Sequence, residues 1–359
     1  MGKLMYFEKF RAWAVAIWQK IRPKSRLAYV MNSLLITFLL LCSLVYFAGV
    51  WYRRQASTTP LTWGVSWSYK FARELGVDPQ AGLEAVASEL PISRLRLMSY
   101  WDVHEATRGQ YNWQELDEQI AIAEKYDKQV SLAIGLRQPR WPECHMPDWA
   151  KQLPADDWRK ELQNYLQATV ERYDSSPNVV EYQLENEFFT GFFGECPDHD
   201  RERLENEYSL VKSLTSKPIV ITRSNNFLPS WPIGQPRADR TAFSIYKRVH
   251  NPVGYYEYPY PVWFYAGIAG LTKITTGVDT FIHELQVEPW GPVSTADLND
   301  QEQQQSMDAN RLSKRLSYAY ATGMRTIDLW GAEWFYWRKT YWNDSSVWTT
   351  IQQELPKYK

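Results

Sequence analysis

"VVEYQLENEFF" (residues 179–189) has the composition of a buried strand, yet it carries three glutamates, Glu181, Glu185 and Glu187. Its other side chains are apolar, aromatic or amide groups. A buried carboxylate is costly unless it is paired, hydrogen-bonded or protonated. The stretch therefore predicts a strand that needs internal ion pairs and that ends where a carboxyl group has a chemical use.

Short strand-like segments alternate with longer amphipathic segments on both sides of this strand. The eight strand candidates are 61–68, 93–100, 129–135, 179–187, 218–224, 241–249, 279–286 and 326–334. Such alternation indicates a parallel sheet, and eight units in about 300 residues fit a closed barrel. A doubly wound open sheet is the alternative, but no glycine-rich phosphate motif follows the first strand. We predict the α/β class, with a (β/α)8 TIM barrel over residues 61–359.

An uncharged apolar segment, residues 27–52, precedes the barrel region. At about 1.5 Å of rise per residue, it is long enough to cross a hydrocarbon core of about 30 Å. A cleaved signal peptide is the alternative, but the apolar run exceeds the usual length of about 7–15 residues and no A-x-A-like site follows. We therefore predict a single transmembrane helix over 27–52, with a polar linker at 53–60.

The charges around this segment predict its orientation. The tail 1–26 holds seven Lys or Arg residues and one Glu, whereas only Arg53 and Arg54 follow the helix closely. The positive-inside rule places the N-terminus in the cytoplasm and the barrel outside the cell membrane, with the lipid bilayer as a partner. The chain has a net charge of −1 and the tail one of +6, which leaves −7 for the remainder. That balance argues against nucleic-acid binding.

Two acids at strand ends suggest a chemistry. In a TIM barrel, Glu187 at the end of the fourth strand and Glu284 at the end of the seventh converge on one face. Cleavage of a glycosidic bond needs one protonated and one ionised carboxyl group. Tryptophans that could stack on sugar rings lie at the same strand ends, namely Trp67, Trp101, Trp141 and Trp330. The predicted partner is an oligosaccharide or polysaccharide.

The motif "YQLENE" resembles the "YELWNEP"-type fourth strand of the clan A glycoside hydrolases. This (β/α)8 group includes family-five cellulases, family-forty-two beta-galactosidases and family-thirty-nine enzymes. The resemblance implies that Glu187 is the acid/base, that Asn186 holds the substrate 2-hydroxyl, and that Glu284 in "FIHELQVEPWG" is the nucleophile. It therefore implies a retaining glycosidase that needs no cofactor.

Weaker similarities extend this resemblance to other strands. "WDVHEATRGQYNW" is similar to the stretch after the second strand of the beta-galactosidases, which implies a substrate-site role for the upstream Arg96. "LWGAEW" implies that Trp330 lies under the substrate and that the Trp330–Gly331 peptide is cis. The resemblance also implies that Tyr246, at the end of the sixth strand, donates to the nucleophile, and an ordinary buried tyrosine is the alternative.

Several assignments stay open on the sequence. Glu288 competes with Glu284 as the nucleophile, although strand continuity favours Glu284 and leaves Glu288 as a subsite or ion-pair residue. Strand alternation points His283 into the helix layer and separates Asn186 from Glu187, unless the strand end is bent. A transglycosylase and a non-catalytic glycan-binding protein are the alternative functions.

The cysteines predict one disulfide and no metal site. No CxxC pair or His/Cys cluster indicates metal binding. Cys144 and Cys196 fall on the loops after the third and fourth strands, which are neighbours in a barrel. Outside the cell such thiols tend to oxidise, so we predict a Cys144–Cys196 bridge, with two unpaired buried cysteines as the alternative.

Overall fold

Eight parallel strands close into a barrel in the computed structural model, which describes residues 26–56, 58–224 and 236–358. The barrel strands are β1 (Thr62–Trp67), β2 (Arg94–Met98), β3 (Gln129–Ile134), β4 (Val179–Leu184), β5 (Ile219–Arg223), β6 (Arg240–Ile245), β9 (Asp279–Gln286) and β10 (Thr326–Trp330). Pairing of β1 with β10 closes the sheet. The predicted (β/α)8 TIM barrel is therefore confirmed, and the doubly wound sheet is excluded. Two short strands, β7 (Arg248–Asn251) and β8 (Gly254–Glu257), form a separate antiparallel hairpin after β6.

Helices surround the barrel and follow most of its strands. They are α1 (Arg26–Ala56), α2 (Tyr69–Glu74), α3 (Pro79–Glu89), α4 (Trp101–His104), α5 (Gln114–Lys125), α6 (Ala155–Tyr173), α7 (Arg201–Leu214), α8 (Val262–Thr276), α9 (Asp300–Ser306), α10 (Ala309–Ala321), α11 (Ala332–Thr340) and α12 (Ser346–Glu354). Several begin after an Asp or Asn whose side chain accepts a first-turn amide, namely Asp78, Asp200, Asn299 and Asp308. Such caps stabilise a helix start by about 0.5–2 kcal/mol.

Buried ion pairs fill the lower interior of the barrel. The carboxylate of Glu181 accepts from Arg94 and Arg240, and Arg94 also pairs with Asp328 on β10. Glu185 accepts the backbone amides of Leu136 and Arg137, in addition to pairing with an arginine on α7. Two of the three glutamates in the opening stretch are therefore structural.

Helix α1 is longer than the sequence predicted. It continues through Ala56, so the linker expected at 53–60 is shorter than predicted. The reason is packing, because Ala48, Gly49 and Tyr52 are buried against α8. Among the described residues, α1 is the only helix long and apolar enough to cross a membrane.

Replacing Gly267 on α8 by Leu should detach α1 without disturbing the barrel. A Cβ there would lie 2.3 Å from the carbonyl oxygen of Val45, and its three nearest heavy atoms all belong to Val45. Overpacking of this kind costs about 1–3 kcal/mol, and each 1.4 kcal/mol changes a population about tenfold. In the detergent-solubilised full chain, we expect trypsin to cleave the variant after Arg53 on the order of tenfold faster than the wild type.

Ile274→Ala is the matched control, because Ile274 lies on the exposed side of the same helix. This variant should be cleaved at the wild-type rate. Equal rates for the Gly267 variant and the wild type would show that α1 is held by something other than this close approach.

Candidate active site

A cavity of about 390 Å³ opens at the carboxyl ends of the barrel strands. Its walls come from the loops after β3, β4, β5, β6, β9 and β10. The lining residues include Arg140, Trp141, Glu143, Asn186, Glu187, Phe192, Tyr246, Glu284, Glu288, Trp290 and Trp330. Eight site residues were predicted beside the two catalytic candidates, and the structure brings five of them to the lining of this cavity and a sixth, Arg96, directly behind it. A larger cavity, of about 630 Å³, lies near Asp300 and Arg338, which pair with each other away from these carboxyl groups.

The backbone after β4 brings Asn186 and Glu187 to the same cavity. Strand β4 ends at Leu184, and Glu185 and Glu187 then adopt positive φ angles of 55° and 44°. These left-handed residues break the strict alternation that would separate the two side chains. The bent strand end that Asn186 and Glu187 need in order to reach the same cavity is therefore present.

Glu187 is held in a setting that favours its protonated form. Its backbone N–H donates to Thr222, and the hydroxyl of Ser244 donates to its Oε1 at 2.6 Å. Burial, followed by the negative charge of Glu284, raises the pKa of Glu187 to about 7. A carboxyl group with this pKa is suited to general acid catalysis near neutral pH.

Glu284 is held in the opposite protonation state. Arg96 Nη1 donates to its Oε1 and the hydroxyl of Tyr246 donates to its Oε2, both at 2.8 Å. Burial alone would raise the pKa of Glu284, but the positive charge of Arg96 and the contact with His283 lower it to about 2. The site thus combines one carboxyl group that retains its proton with one that has lost it, which is the division needed for acid and nucleophile roles.

Arg96 lies behind the cavity and not on its wall. It is fully buried, and it donates to Gln183, Asn186 and Glu284. The expectation that Arg96 binds substrate is therefore wrong in this structure, because its donors are already used by neighbouring strands. Arg96 is a positioning residue for Asn186 and Glu284.

Two of the four predicted sugar-stacking tryptophans are core residues. Trp67 and Trp101 are fully buried, and neither lines the cavity. Trp67 packs against Tyr336, and Trp101 packs against Trp149, so both fill the space between strands and helices. These two predictions were wrong because a residue at a strand end, such as Trp67, or just after one, such as Trp101, can point outward into the helix layer.

The other two tryptophans lie at the cavity. Trp330 is mostly buried on its wall, and Trp141 is 61% exposed at its rim. The guanidinium of Arg140 lies 4.1 Å from the ring centroid of Trp330. The predicted cis peptide at Trp330–Gly331 is wrong, since the cis bond of the described residues is Trp141–Pro142 and Gly331 turns the chain with a φ of 110°.

His283 lies between the two carboxyl groups, contrary to the prediction from strand alternation. Its ring is 3.4 Å from Glu284 and 3.9 Å from Glu187. The register between β6 and β9 shifts at this point, since Ser244 pairs with Glu284 while Phe243 pairs with Ile282. The extra residue in β9 turns the imidazole inward, and burial lowers its pKa, which favours the neutral ring.

Glu288 has a partner that Glu284 lacks. Arg140 donates to both of its carboxylate oxygens, at 2.6 and 3.1 Å, and also pairs with Glu333. Glu288 lines the same cavity, where this bidentate pair engages both of its oxygens. Glu284 differs in that it shares His283 with Glu187 and its charge acts on Glu187, so the geometry favours Glu284 as the reactive carboxylate and Glu288 as an ion-pair residue of the wall.

Glu143 is a cavity residue that the sequence reasoning missed. Asn186 donates to it at 3.2 Å, and burial, only partly offset by Arg137, raises its pKa to about 8. It lies beside Cys144, which forms a disulfide with Cys196, with Cα atoms 5.1 Å apart. The sequence signal that could have identified Glu143 is its position in "RWPECHMPDW", next to a cysteine already assigned to the loop after the third strand.

The comparisons with known proteins support the barrel. No family model matches the chain. The β-galactosidase Bga of Halorubrum lacusprofundi is 25% identical over 169 residues, which cover 41% of this chain and 23% of that protein. The match thus spans about a quarter of the relative's length.

Two solved structures are similar at the level of the fold. An endo-β-1,4-xylanase of family 10 from Gloeophyllum trabeum matches with a TM-score of 0.52 and 18% identity, over 76% of this chain and 85% of its own. Xylanase 10B of Thermotoga maritima matches with a TM-score of 0.53 and 13% identity, over 78% and 85%. The predicted resemblance to the clan A glycoside hydrolases is confirmed in the fold they share.

Arg96→Met should destabilise the protein strongly at neutral pH. Removing one partner of a buried ion pair costs about 3–5 kcal/mol, because the ionised Glu284 is left uncompensated. A carboxyl group with a lowered folded-state pKa stabilises the fold above its unfolded pKa, and this contribution is lost as pH falls toward about 2. The free energies of unfolding of the wild type and the variant, measured by urea denaturation of the full chain in detergent, should therefore differ more at pH 7 than at pH 4.

Arg108→Met is the control, because Arg108 pairs with Glu161 on the surface and is 55% exposed. Its loss should cost less than about 1 kcal/mol at either pH. An Arg96 variant as stable as this control would contradict the positioning role.

Proposed function

We propose that the protein is a retaining glycoside hydrolase that acts on a β-linked glycan. The observation that carries the proposal is the pair of buried carboxyl groups, Glu187 and Glu284, which face one cavity with pKa values of about 7 and about 2. A barrel that only bound sugars would have no need to separate two carboxyl groups in this way.

In the first step, Glu187 donates its proton to the glycosidic oxygen while an oxygen of Glu284 attacks the anomeric carbon. The bond from that carbon to the leaving oxygen breaks, and a glycosyl ester on Glu284 forms. In the second step, Glu187 takes a proton from water, the water oxygen attacks the same carbon, and the ester bond breaks to restore Glu284. Each step inverts the anomeric carbon, so the product retains the starting configuration.

Other residues of the cavity have roles that fit this reaction. Asn186, held by Arg96, would hydrogen-bond the hydroxyl next to the anomeric carbon. The hydroxyl of Tyr246 orients the nucleophile. Trp330 and Trp141 supply apolar faces for sugar rings at the wall and the rim. The reaction uses only these side chains and water, with no cofactor.

We further propose that α1 anchors the enzyme in the cell membrane. Its apolar length and the basic charges before it support a single-pass helix with a cytoplasmic N-terminus and an extracytoplasmic barrel. Two alternatives remain as outcomes of the test. Transfer to a sugar acceptor in place of water would make the enzyme a transglycosylase, and binding without cleavage would make it a glycan-binding protein.

Glu284→Gln should lower the rate of hydrolysis of aryl β-glycosides at least about 10⁴-fold, because the nucleophile is lost. The aryl β-glycosides to be tested include β-galactosides and β-xylosides, which match the names of the similar proteins. Glu161→Gln, a surface change, is the control and should keep full activity. Wild-type protein that binds these glycosides without cleaving them would overturn the proposal, and an inverted product anomer seen by NMR would overturn retention.

Glu187→Gln should show a dependence on the leaving group. With a poor leaving group, the rate should fall by about 10²–10⁴, the usual contribution of a general acid. With dinitrophenyl β-glycosides, whose leaving group needs no proton, formation of the glycosyl ester should be nearly unchanged. Equal losses on both substrates, measured in the pre-steady state, would contradict the acid role.

The pH profile should follow the protonation of Glu187. Since its protonated form is the acid, kcat/KM should decline as pH rises through about 7. Ser244 donates to the ionised carboxylate and thereby lowers this pKa, so Ser244→Ala should move the decline to higher pH. Thr241→Val removes a hydroxyl from the same strand away from the cavity and should leave the profile in place. A profile unmoved by the Ser244 change would show that another group controls it.

A further inference from the structure

Helix α1 lies beside α8 and runs in the same direction. Tyr46 contacts Trp263 in the first turn of α8, with ring centroids 6.1 Å apart. Further along α1, the hydroxyl of Tyr52 donates to the carbonyl of Thr280 at the start of β9. Because α8 begins at the catalytic face and descends to the opposite face, α1 enters at the catalytic face as well.

The part of α1 that precedes these contacts projects past the catalytic face. None of the residues 26–44 is buried. These 19 residues rise by about 28 Å, which is close to the hydrocarbon thickness of about 30 Å. If this part of α1 crosses the bilayer, the membrane surface lies near Tyr46 and Trp263, residue types that prefer the interface.

Exposed apolar side chains are concentrated on the same face. Outside α1, seven of the nine exposed large apolar residues in the described ranges lie in the segments between a barrel strand and the next large helix, namely Tyr111, Trp141, Phe192, Val253, Tyr256, Trp290 and Val293. Ile274 and Tyr341 lie at the carboxyl ends of α8 and α11. Val253, at the tip of the β7–β8 hairpin, is 97% exposed. The hairpin follows the carboxyl end of β6 and precedes the first turn of α8, so its tip belongs to the catalytic end of the barrel, the end at which α1 enters.

The charges of the cavity limit the kind of sugar that fits. The described lining includes four glutamates, of which Glu143 and Glu187 have raised pKa values, and its one arginine, Arg140, is already paired with Glu288 and Glu333. An anionic sugar or a phosphate would therefore meet the ionised Glu284 and would find the arginine of the described lining already paired. A neutral sugar suits this lining better.

We propose that α1 holds the catalytic face of the barrel toward the bilayer, and that the cavity takes the neutral sugar headgroup of a membrane glycolipid. This inference rests on the proposed anchor and on the proposed glycosidase activity. A headgroup that projects from the bilayer enters such a cavity directly. A long soluble polysaccharide would have to pass between the barrel and the membrane.

The orientation can be tested without any substrate. The full chain carrying Cys42→Ser, to remove the free thiol, is labelled with a fluorophore at Val253→Cys or at Ile274→Cys. Each variant is reconstituted in phosphatidylcholine vesicles that contain lipids with a spin-labelled headgroup. Both positions are exposed, but Val253 is at the catalytic face and Ile274 is at the far end of α8.

We expect the label at position 253 to be quenched and the label at position 274 to keep its full emission. Equal emission from both, or quenching at 274 alone, would overturn the orientation. Because this measurement needs no catalysis, it separates failure of the orientation from failure of the glycosidase proposal.

The substrate class is tested in the same vesicles. Neutral β-glycosyl diacylglycerols, bearing galactose, glucose or xylose, are compared with the corresponding soluble aryl β-glycosides. Confinement to one surface should favour the lipid substrate on the order of a hundredfold at equal bulk concentration. Hydrolysis of the soluble glycosides alone, with the 253 label quenched, would overturn the lipid substrate while leaving the glycosidase intact.

Two variants connect orientation to substrate. Val253→Asp puts a charge at the hairpin tip, and Gly267→Leu loosens the contact between α1 and α8; neither residue lines the cavity. Both variants should lower hydrolysis of the lipid glycoside at least about fivefold, a loss of effective concentration, with little change on the soluble one. Tyr341→Asp, exposed at the end of α11, is the control. Equal losses on both substrates would show damage to the barrel and contradict the proposal.

Discussion

The guanidinium of Arg96 is the interaction on which the site depends. From β2 it reaches Gln183 on β4, Asn186 after β4 and Glu284 on β9, so it joins residues that are far apart in the chain. Its charge keeps Glu284 ionised in a buried position, and the ionised Glu284 in turn helps to keep Glu187 protonated. One buried cation therefore sets both the geometry and the protonation difference of the pair.

Two local departures from regular strand geometry make this arrangement possible. The left-handed residues after β4 bring Asn186 and Glu187 to one cavity, and the extra residue in β9 turns His283 toward Glu284. Positive φ angles at non-glycine residues cost of order 1–3 kcal/mol and persist only where the surroundings enforce them. Here the surrounding ion pairs and the hydrogen bond from Glu187 to Thr222 supply that enforcement.

Helix α1 adds a second constraint, at the outside of the barrel. Small residues on both helices allow the backbones to approach closely, since a Cβ on Gly49 would lie 2.8 Å from the amide nitrogen of Gly267. The helix therefore continues past its apolar segment and reaches the face opposite the cavity, where Arg325 donates to the carbonyl of Ala56. An anchor packed in this way fixes a direction for the barrel, whereas a flexible linker would leave it free to turn.

The sequence by itself determined the eight alternating units, the apolar helix, and the placing of Glu187 and Glu284 at strand ends, because these follow from periodicity and chain order. It did not distinguish Trp330, on the cavity wall, from Trp67, in the core, because both follow the same local pattern and only packing against helices separates them. The inward turn of His283 and the roles of Arg96 and Glu143 were decided by the tertiary structure. Each of these features depends on a register shift or on partners from distant strands. The spacing of neighbouring residues encodes neither the shift nor those partners.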